Sequence, residues 1–100
     1  QLPPFAFQAL FRADANYPSY PEKFLRLFTQ ESFEGCYFSG PVPAAMEKKA
    51  GKFRFHLLVH ANSRKNLHQC LKQLLTQIPK NEWLNKVRWS IDIDPTELSW

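Results

Sequence analysis

The sequence has few of the patterns that mark nucleotide-hydrolysing enzymes and membrane proteins. It contains three glycines and no Gly-x-x-x-x-Gly-Lys-Ser/Thr segment, so the usual phosphate-cradling loop is absent. No apolar run approaches the roughly 18 residues that a membrane-spanning helix requires. We therefore expect no P-loop chemistry and no membrane partner, and we predict a cytoplasmic location.

Cysteine is also scarce. Cys36 and Cys70 lie far apart in the sequence and belong to no Cys-x-x-Cys or Cys/His pattern, so we predict two buried free thiols. His56 and His60 have the spacing of metal ligands on a helix, but on a strand this spacing separates them by about 13 Å. We expect neither a metal site nor a cofactor within these residues.

The composition is that of an ordinary globular domain. Hydrophobic residues make up 44% and charged residues 22% of the 100 residues, which is enough for one core. The formal net charge of +4 is compatible with a polyanionic partner and also with solubility alone. We predict a single domain over residues 1–100, with 1–4 as a linker from a preceding domain and 96–100 as a tail.

Four segments alternate between apolar and polar side chains with the period of a β-strand. Strands one, three and four are predicted at residues 5–13, 52–60 and 87–94. Strand two starts at Cys36 and is predicted to be short, because Pro41 and Pro43 must end it or confine it to a sheet edge. We assign five aromatic residues to the core, namely Phe5, Phe7, Phe53, Phe55 and Trp89, and leave Trp83 without a place.

Two segments have helical periodicity. Helix one is predicted from Ser19 to about Ser32, because Ser19 precedes Glu22 with the spacing of a capping box. Ser63 is the predicted cap of helix two. The apolar stripe of helix two is formed by Leu67, Cys70, Leu71, Leu74, Leu75 and Ile78.

The resulting order β-α-β-β-α-β is that of the ferredoxin-like split β-α-β fold, in the α+β class. This fold is an antiparallel four-stranded sheet with two helices on one face. Strands one and three are central, strand four pairs with strand one, and the other face of the sheet stays open.

Cationic side chains are predicted to meet at one end of this open face. They are Arg12, Arg54, Lys52 and Arg88, joined by Lys48 and Lys49 from the hairpin. Asp92 and Asp94 are expected at the opposite end, which would make the face electrically lopsided. Such a group can neutralise DNA phosphates, although a solvated charged face is the alternative. The face lacks the exposed aromatic pair with which RNA-recognition sheets stack bases, so we favour backbone recognition.

Two other functions are open from the residues alone. One is a small hydrolase using Asp92 and Asp94, whose carboxylates share a strand face about 7 Å apart. No third acid or sugar-stacking aromatic residue accompanies them. The other is a stand-alone RNA-binding or ribosomal-type protein of the same fold.

Several stretches combine into a family pattern. They are Leu2-Pro3-Pro4, Gly40-Pro41-Val42-Pro43-Ala44 followed by a basic loop and Gly51-Lys52-Phe53-Arg54, then Ser63-Arg64, and finally Val87-Arg88-Trp89 with Asp92-Ile93-Asp94-Pro95. With these stretches the chain resembles the C-terminal domain of the primosomal protein N′ (PriA) family of replication-restart helicases. The family tends to end soon after its Asp-Pro, so Thr96 to Trp100 receive no role.

The resemblance implies a DNA-binding and docking module without catalytic residues. The parent would be an ATP-dependent 3′→5′ DNA helicase acting at stalled forks, with its ATP, Mg and Zn sites elsewhere in the protein. The implied partners are fork or single-stranded DNA, the helicase core of the same chain, PriB, and the acidic tail of the single-stranded DNA-binding protein SSB.

The resemblance also implies a site for the SSB tail at the start of helix two. In the family, the arginine at the position of Arg64 helps hold the tail. Lys65 stands beside it and His68 follows one turn later, where the family often has glutamine. A cation at a helix start opposes the helix macrodipole, which is consistent with an anionic ligand there.

Overall fold

Four strands and two helices follow one another in the order that the apolar patterning predicts. The computed structural model describes residues 7–49 and 51–93, with the backbone alone for 45–49. The elements are β1 (Phe7–Ala15), α1 (Ser19–Arg26), β2 (Cys36–Lys49), β3 (Lys52–Ala61), α2 (Arg64–Gln77) and β4 (Arg88–Ile93). Short 3₁₀ turns occupy Leu27–Gln30, Ile78–Lys80 and Leu84–Lys86. The predicted linker 1–4 and tail 96–100 lie outside the described residues.

The sheet is antiparallel, with strand order β2-β3-β1-β4. β1 and β3 are therefore central, and Phe11 on β1 lies opposite Leu57 on β3 and Ile91 on β4. This arrangement confirms the predicted α+β fold of the split β-α-β type. Within the described residues, no helix has the length and apolar character needed to cross a membrane.

Both helices cover the same face of the sheet. The central strands turn alternate residues toward the helices, and these residues are nearly inaccessible to solvent. The core consists of Ala9, Phe11, Ala13, Leu57, Val59 and Ala61 from the sheet, with Phe24, Leu25 and Phe28 from α1 and its following turn, and Leu67, Cys70, Leu71, Leu74 and Ile78 from α2 and the turn after it. Leu75 is 44% exposed, so its assignment to the apolar stripe was wrong. It lies at the flank of the stripe, where α2 turns toward solvent.

The aromatic residues predicted in the core lie at its margin. Phe7, Phe55 and Trp89 are partly buried and pack against the central cluster. Phe53 is half-buried at the start of β3. Phe5 lies outside the described residues.

β2 is an edge strand, as predicted, but the expectation of a short strand was wrong. It continues past Pro41 and Pro43 to Lys49. Proline has no backbone N–H to donate to a neighbouring strand. An edge strand has a neighbour on one side only, so it tolerates proline better than a central strand does. The ladder between β2 and β3 shifts register between Ser39 and Val42 and again between Pro43 and Lys48, which accommodates both prolines.

The predicted starts of the two helices had different outcomes. Ser63 caps α2, since its Oγ accepts a hydrogen bond from the backbone N–H of Asn66 at 3.0 Å. The capping box at Ser19 was wrong, because Ser19 is already helical and Pro18 occupies the cap position without a side-chain bond. Glu22 instead accepts a hydrogen bond from Arg26 at 2.6 Å. α1 is also shorter than predicted, since it gives way to a 3₁₀ turn at Leu27.

Candidate nucleic-acid interface

Three arginines meet on the open face of the sheet. Arg12 on β1, Arg54 on β3 and Arg88 on β4 line one cavity of about 270 Å³, and we call them the arginine cluster. The strand register explains their meeting, because Asp14 on β1 lies directly opposite both Arg54 and Arg88. Arg12 is two residues before Asp14 and therefore shares its face. This part of the predicted basic group is assembled as expected.

Two carboxylates lie among these arginines. Arg12 Nη2 donates to Asp92 Oδ2 at 3.1 Å, and Arg88 Nη2 donates to Asp14 Oδ2 at 3.2 Å. The expectation that Asp92 would lie at the opposite end of the face was therefore wrong. Asp92 is two residues from Ser90, the β4 partner of Arg12, which puts it within diagonal reach of the guanidinium.

The predicted charge asymmetry is correspondingly weaker. The sequence analysis did not place Asp14 on the open face, because strand one was predicted to end at Ala13, whereas β1 extends to Ala15. Asp94 lies outside the described residues.

The arginine cluster holds three guanidinium groups against the two carboxylates paired with it. Burial lowers the pKa of His56, and the charges of Arg12 and Arg54 lower it further. His56 lies directly opposite Arg12 in the sheet. Both side chains of the Arg12–Asp92 pair are exposed (38% and 56%), and such pairs contribute about 0–1 kcal/mol, so Arg12 can exchange its carboxylate for a phosphate.

The three predicted lysines lie at the β2–β3 hairpin. Lys52 is half-buried at the first position of β3. In the strand register Lys49 is opposite Lys52, and Lys48 is opposite Phe53. The structure describes only the backbone of Lys48 and Lys49, so it gives their positions in the hairpin but not those of their side chains.

His60 lies on the open face but is only 8% exposed. Ser39 Oγ lies 2.9 Å from Nε2, and Gln8 Nε2 lies 3.3 Å from Nδ1. The ring of Tyr37 stacks on the imidazole at 4.3 Å. Burial lowers the pKa of His60, which favours the neutral ring in this setting. Tyr37 is therefore an exposed aromatic residue on the open face.

The predicted site for an acidic peptide lies at the other end of β1. The guanidinium of Arg64 lies over the ring of Phe7, with Cζ 5.6 Å from the ring centroid. Lys65 is exposed and His68 is half-buried on the next turn of α2. Phe7 is seven residues before Asp14, the β1 partner of Arg54 and Arg88, so this site lies about 23 Å along the strand from those two arginines.

The two cysteines, distant in sequence, are neighbours in the fold. Cys36 on β2 and Cys70 on α2 lie close enough for each thiol to influence the pKa of the other, and Cys36 Sγ donates to the carbonyl of Asn66 at 3.5 Å. Both are free cysteines, as predicted. Cys70 is buried but Cys36 is half-buried, so the expectation of two buried thiols was right for Cys70 alone.

The fold and the arginine cluster define a class, namely a small α+β domain with a basic patch at one end of its open sheet. The family model of the Primosomal protein N C-terminal domain matches residues 1–96, and the chain belongs to this family. The resemblance found in the sequence is thereby confirmed.

Among curated proteins, the chain is similar to the replication restart protein PriA of Haemophilus influenzae. The two are 37% identical over 103 residues, which cover 98% of this chain and 14% of that protein. The chain thus spans a small fraction of the length of this relative.

Among solved structures, the chain is similar to the C-terminal DNA binding domain of the latency-associated nuclear antigen (LANA) of MHV-68. The TM-score is 0.47 and the identity 15%, over 96% of this chain and 78% of that chain. At these values the similarity carries no functional argument.

Proposed function

We propose that the domain is a DNA-binding and docking module of a replication-restart protein and has no catalytic role of its own. The observation that carries this proposal is the meeting of Arg12, Arg54 and Arg88 around one cavity on the open sheet. The family assignment and the name of the Haemophilus influenzae relative support replication restart as the setting.

The chemistry of the cluster suits phosphates better than bases. Guanidinium groups form forked hydrogen bonds with phosphate oxygens and stay charged at any physiological pH. Three of them on neighbouring strands can follow a DNA backbone without reading its sequence. Binding through this surface would therefore be electrostatic and sensitive to salt.

The rival functions receive less support. In the acid-dyad hydrolase, Asp92 would lie in a cleft shielded from solvent, but its side chain is 56% exposed and forms a surface ion pair with Arg12 at 3.1 Å. An RNA-binding protein would use the same phosphate chemistry, so it differs from the proposal in the choice of nucleic acid. We make that choice an outcome of the test below.

The proposal is tested by fluorescence anisotropy of the chain with labelled fork DNA at several salt concentrations. We expect log K to fall by about 0.7 to 0.9 per phosphate contacted for each unit of log salt. Arg54→Glu should weaken binding and flatten this slope. Lys72→Glu, which makes the same charge change at an exposed position of α2, should leave the slope unchanged. Equal binding by the parent and Arg54→Glu, or a preference for structured RNA over fork DNA, would count against the proposal.

We also propose that the start of α2 helps to dock the acidic tail of SSB. Such a tail offers carboxylates beside apolar side chains, and Arg64 offers a guanidinium held over the apolar ring of Phe7. Lys65 adds an exposed charge, and His68 lies one turn away. Contacts with the helicase core and with PriB remain predictions of the family resemblance.

The docking proposal is tested in the full-length protein, because the family resemblance implies that the helicase core completes the pocket. Arg64→Ala should cost roughly 1.5–3 kcal/mol, or about tenfold to hundredfold in affinity for a labelled SSB tail peptide. Binding of fork DNA should change little. Lys72→Ala is the matched control. Equal peptide affinities for the parent and Arg64→Ala would place the tail site elsewhere.

A further inference from the structure

A row of aromatic rings extends beyond the end of β1. The ring centroids of Tyr17 and Tyr20 are 5.1 Å apart, and those of Tyr20 and Trp83 are 5.5 Å apart. Two lysines flank the row, with Lys23 Nζ 5.2 Å from the ring centre of Trp83 and Lys86 Nζ 5.5 Å from that of Tyr20. We call Tyr17, Tyr20 and Trp83 the aromatic row.

The row is held in place from one end and exposed at the other. Asn81 fixes Trp83, because its Oδ1 accepts from the backbone N–H of Trp83 at 2.9 Å and its Nδ2 donates to the carbonyl of Phe24 at 3.1 Å. Tyr20 is half-buried between the other two rings. Tyr17, at the outer end, is 60% exposed, so core packing does not account for its aromatic ring.

The aromatic row and the arginine cluster lie at the same end of the sheet. Tyr17 follows the end of β1 by two residues, and Lys86 precedes the first residue of β4 by two. β1 and β4 are antiparallel, and Asp14 lies opposite Arg88, so these two strand ends meet at the same end of the sheet. Tyr20 lies on α1 and Trp83 packs against the core, so the row belongs to the helix layer, and a strand bound to it would pass over this end of the sheet to reach the arginines on the open face.

We propose that an unpaired nucleotide of single-stranded DNA stacks on Tyr17, with Lys86 and Lys23 contacting its flanking phosphates and the strand continuing to the arginine cluster. This inference rests on the proposed DNA-binding function and assigns it a second, stacking component. Exposed aromatic rings beside cations are the means by which proteins hold single strands without reading sequence. Bases inside a duplex are already stacked and have no face to offer to Tyr17.

The charges around the row favour this ligand. Lys23 and Lys86 are exposed, so their ammonium groups can leave the ring faces to meet a phosphate. Glu22, the acid beside Lys23 in sequence, is already paired with Arg26 at 2.6 Å. It therefore leaves the charge of Lys23 available to an incoming strand.

The test compares a labelled 12-nucleotide oligo(dT) with a labelled duplex of the same length, using anisotropy titrations of the chain at one salt concentration. Tyr17→Ala should weaken oligo(dT) binding by roughly fivefold to hundredfold, the range measured for the loss of one base–aromatic stack. Tyr17→Phe, which keeps the ring, should bind oligo(dT) as the parent does. Duplex affinity should change less than twofold in both variants. Tyr37→Ala, which removes an exposed tyrosine from β2, is the matched control and should retain parent affinity.

The possible results separate the two proposals. If the parent binds oligo(dT) and Tyr17→Ala binds equally well, the stacking site is wrong and the DNA-binding function stands. If Tyr17→Ala weakens duplex and oligo(dT) binding equally, the ring serves the fold or the general surface, and the stacking site is again wrong. If the parent binds neither DNA, the proposed function itself fails.

Discussion

Arg88 and Asp14 form an ion pair across β4 and β1, and its two ends differ sharply in exposure. Arg88 Nη2 lies 3.2 Å from Asp14 Oδ2, and the arginine side chain is 80% exposed while the aspartate side chain is 16% exposed. The second oxygen of Asp14, Oδ1, is buried without a hydrogen-bond partner among the described residues. A DNA phosphate that approaches Arg88 must therefore compete with a carboxylate already in place.

Asp14→Asn should release Arg88 to a phosphate. We expect tighter DNA binding and a log K against log salt slope that is steeper by about 0.7 to 0.9, the contribution of one additional phosphate. Anisotropy titrations from low to moderate salt measure both quantities. Glu34→Gln removes an exposed acid from the turn before β2 and should have no such effect. An unchanged slope in Asp14→Asn would mean that Arg88 does not contact DNA.

Adjacent leucines on α2 should respond in opposite ways to truncation. Leu74 is fully buried, so Leu74→Ala removes apolar contacts and leaves a cavity, at a cost of about 2–5 kcal/mol in the free energy of unfolding. Leu75 is 44% exposed, and Leu75→Ala should cost less than about 1 kcal/mol. Urea unfolding followed by circular dichroism measures both. Similar costs for the two variants would contradict the observed flank position of Leu75.

The stability of the domain should fall in mild acid because of His60. Burial lowers the folded-state pKa of His60 below its ordinary value of 6.5. As pH falls below about 6.5 the unfolded chain takes up this proton before the folded chain does, so the free energy of unfolding decreases. The contribution of the neutral His60 ring to the free energy of unfolding is fully present above pH 6.5, and it is lost as the pH falls through the folded-state pKa.

His60→Gln isolates this effect. The variant should show a smaller drop in the free energy of unfolding between pH 7.5 and pH 5 than the parent, as measured by urea titration at each pH. His56 also has a lowered pKa, so part of the dependence should remain. Identical drops in parent and variant would show that His60 is protonated equally in both states.

The paired thiols should react slowly with alkylating agents. Burial raises the pKa of Cys36, and burial together with the neighbouring Cys36 raises the pKa of Cys70 to about 12. The thiolate is the reactive form, so it is scarce at pH 8 in the folded chain. Iodoacetamide should label Cys36 slowly and Cys70 more slowly still, as read by peptide mass spectrometry. In urea, where the chain is unfolded, both cysteines should react at the rate of free cysteine. Faster labelling of Cys70 than of Cys36 in the native chain would contradict these pKa shifts.

The fold was predictable because its elements have local signals. The two-residue periods of β1, β3 and β4 and the apolar stripe of α2 identify which faces are buried, and the order of elements then selects the sheet topology. The length of β2 was not predictable in this way. In a sequence, proline usually indicates the end of a strand. Here β2 accommodates its prolines through irregularities in its pairing with β3, which the sequence of β2 alone does not show.

The candidate site was predictable in its arginines and not in its acids. Arg12, Arg54 and Arg88 follow from side-chain alternation on strands whose order is known. The pairing of Arg12 with Asp92 depends on the register between β1 and β4. Alternation along a single strand shows which face a residue is on, but it does not show the register with a neighbouring strand. The place of Trp83 depends on packing between α1 and a 3₁₀ turn far along the chain, for which no periodic signal exists.

The irregular course of β2 also bears on behaviour at high concentration. Pro41 and Pro43 donate no backbone N–H, and two register shifts interrupt the ladder with β3, so β2 is an irregular strand. The other border of the sheet, β4, has six residues in the described part of the chain and carries the charges of Arg88 and Asp92. Fibril growth requires a long, flat, uninterrupted border onto which further copies can add. Both borders of this sheet are therefore poor templates for amyloid-like polymerisation.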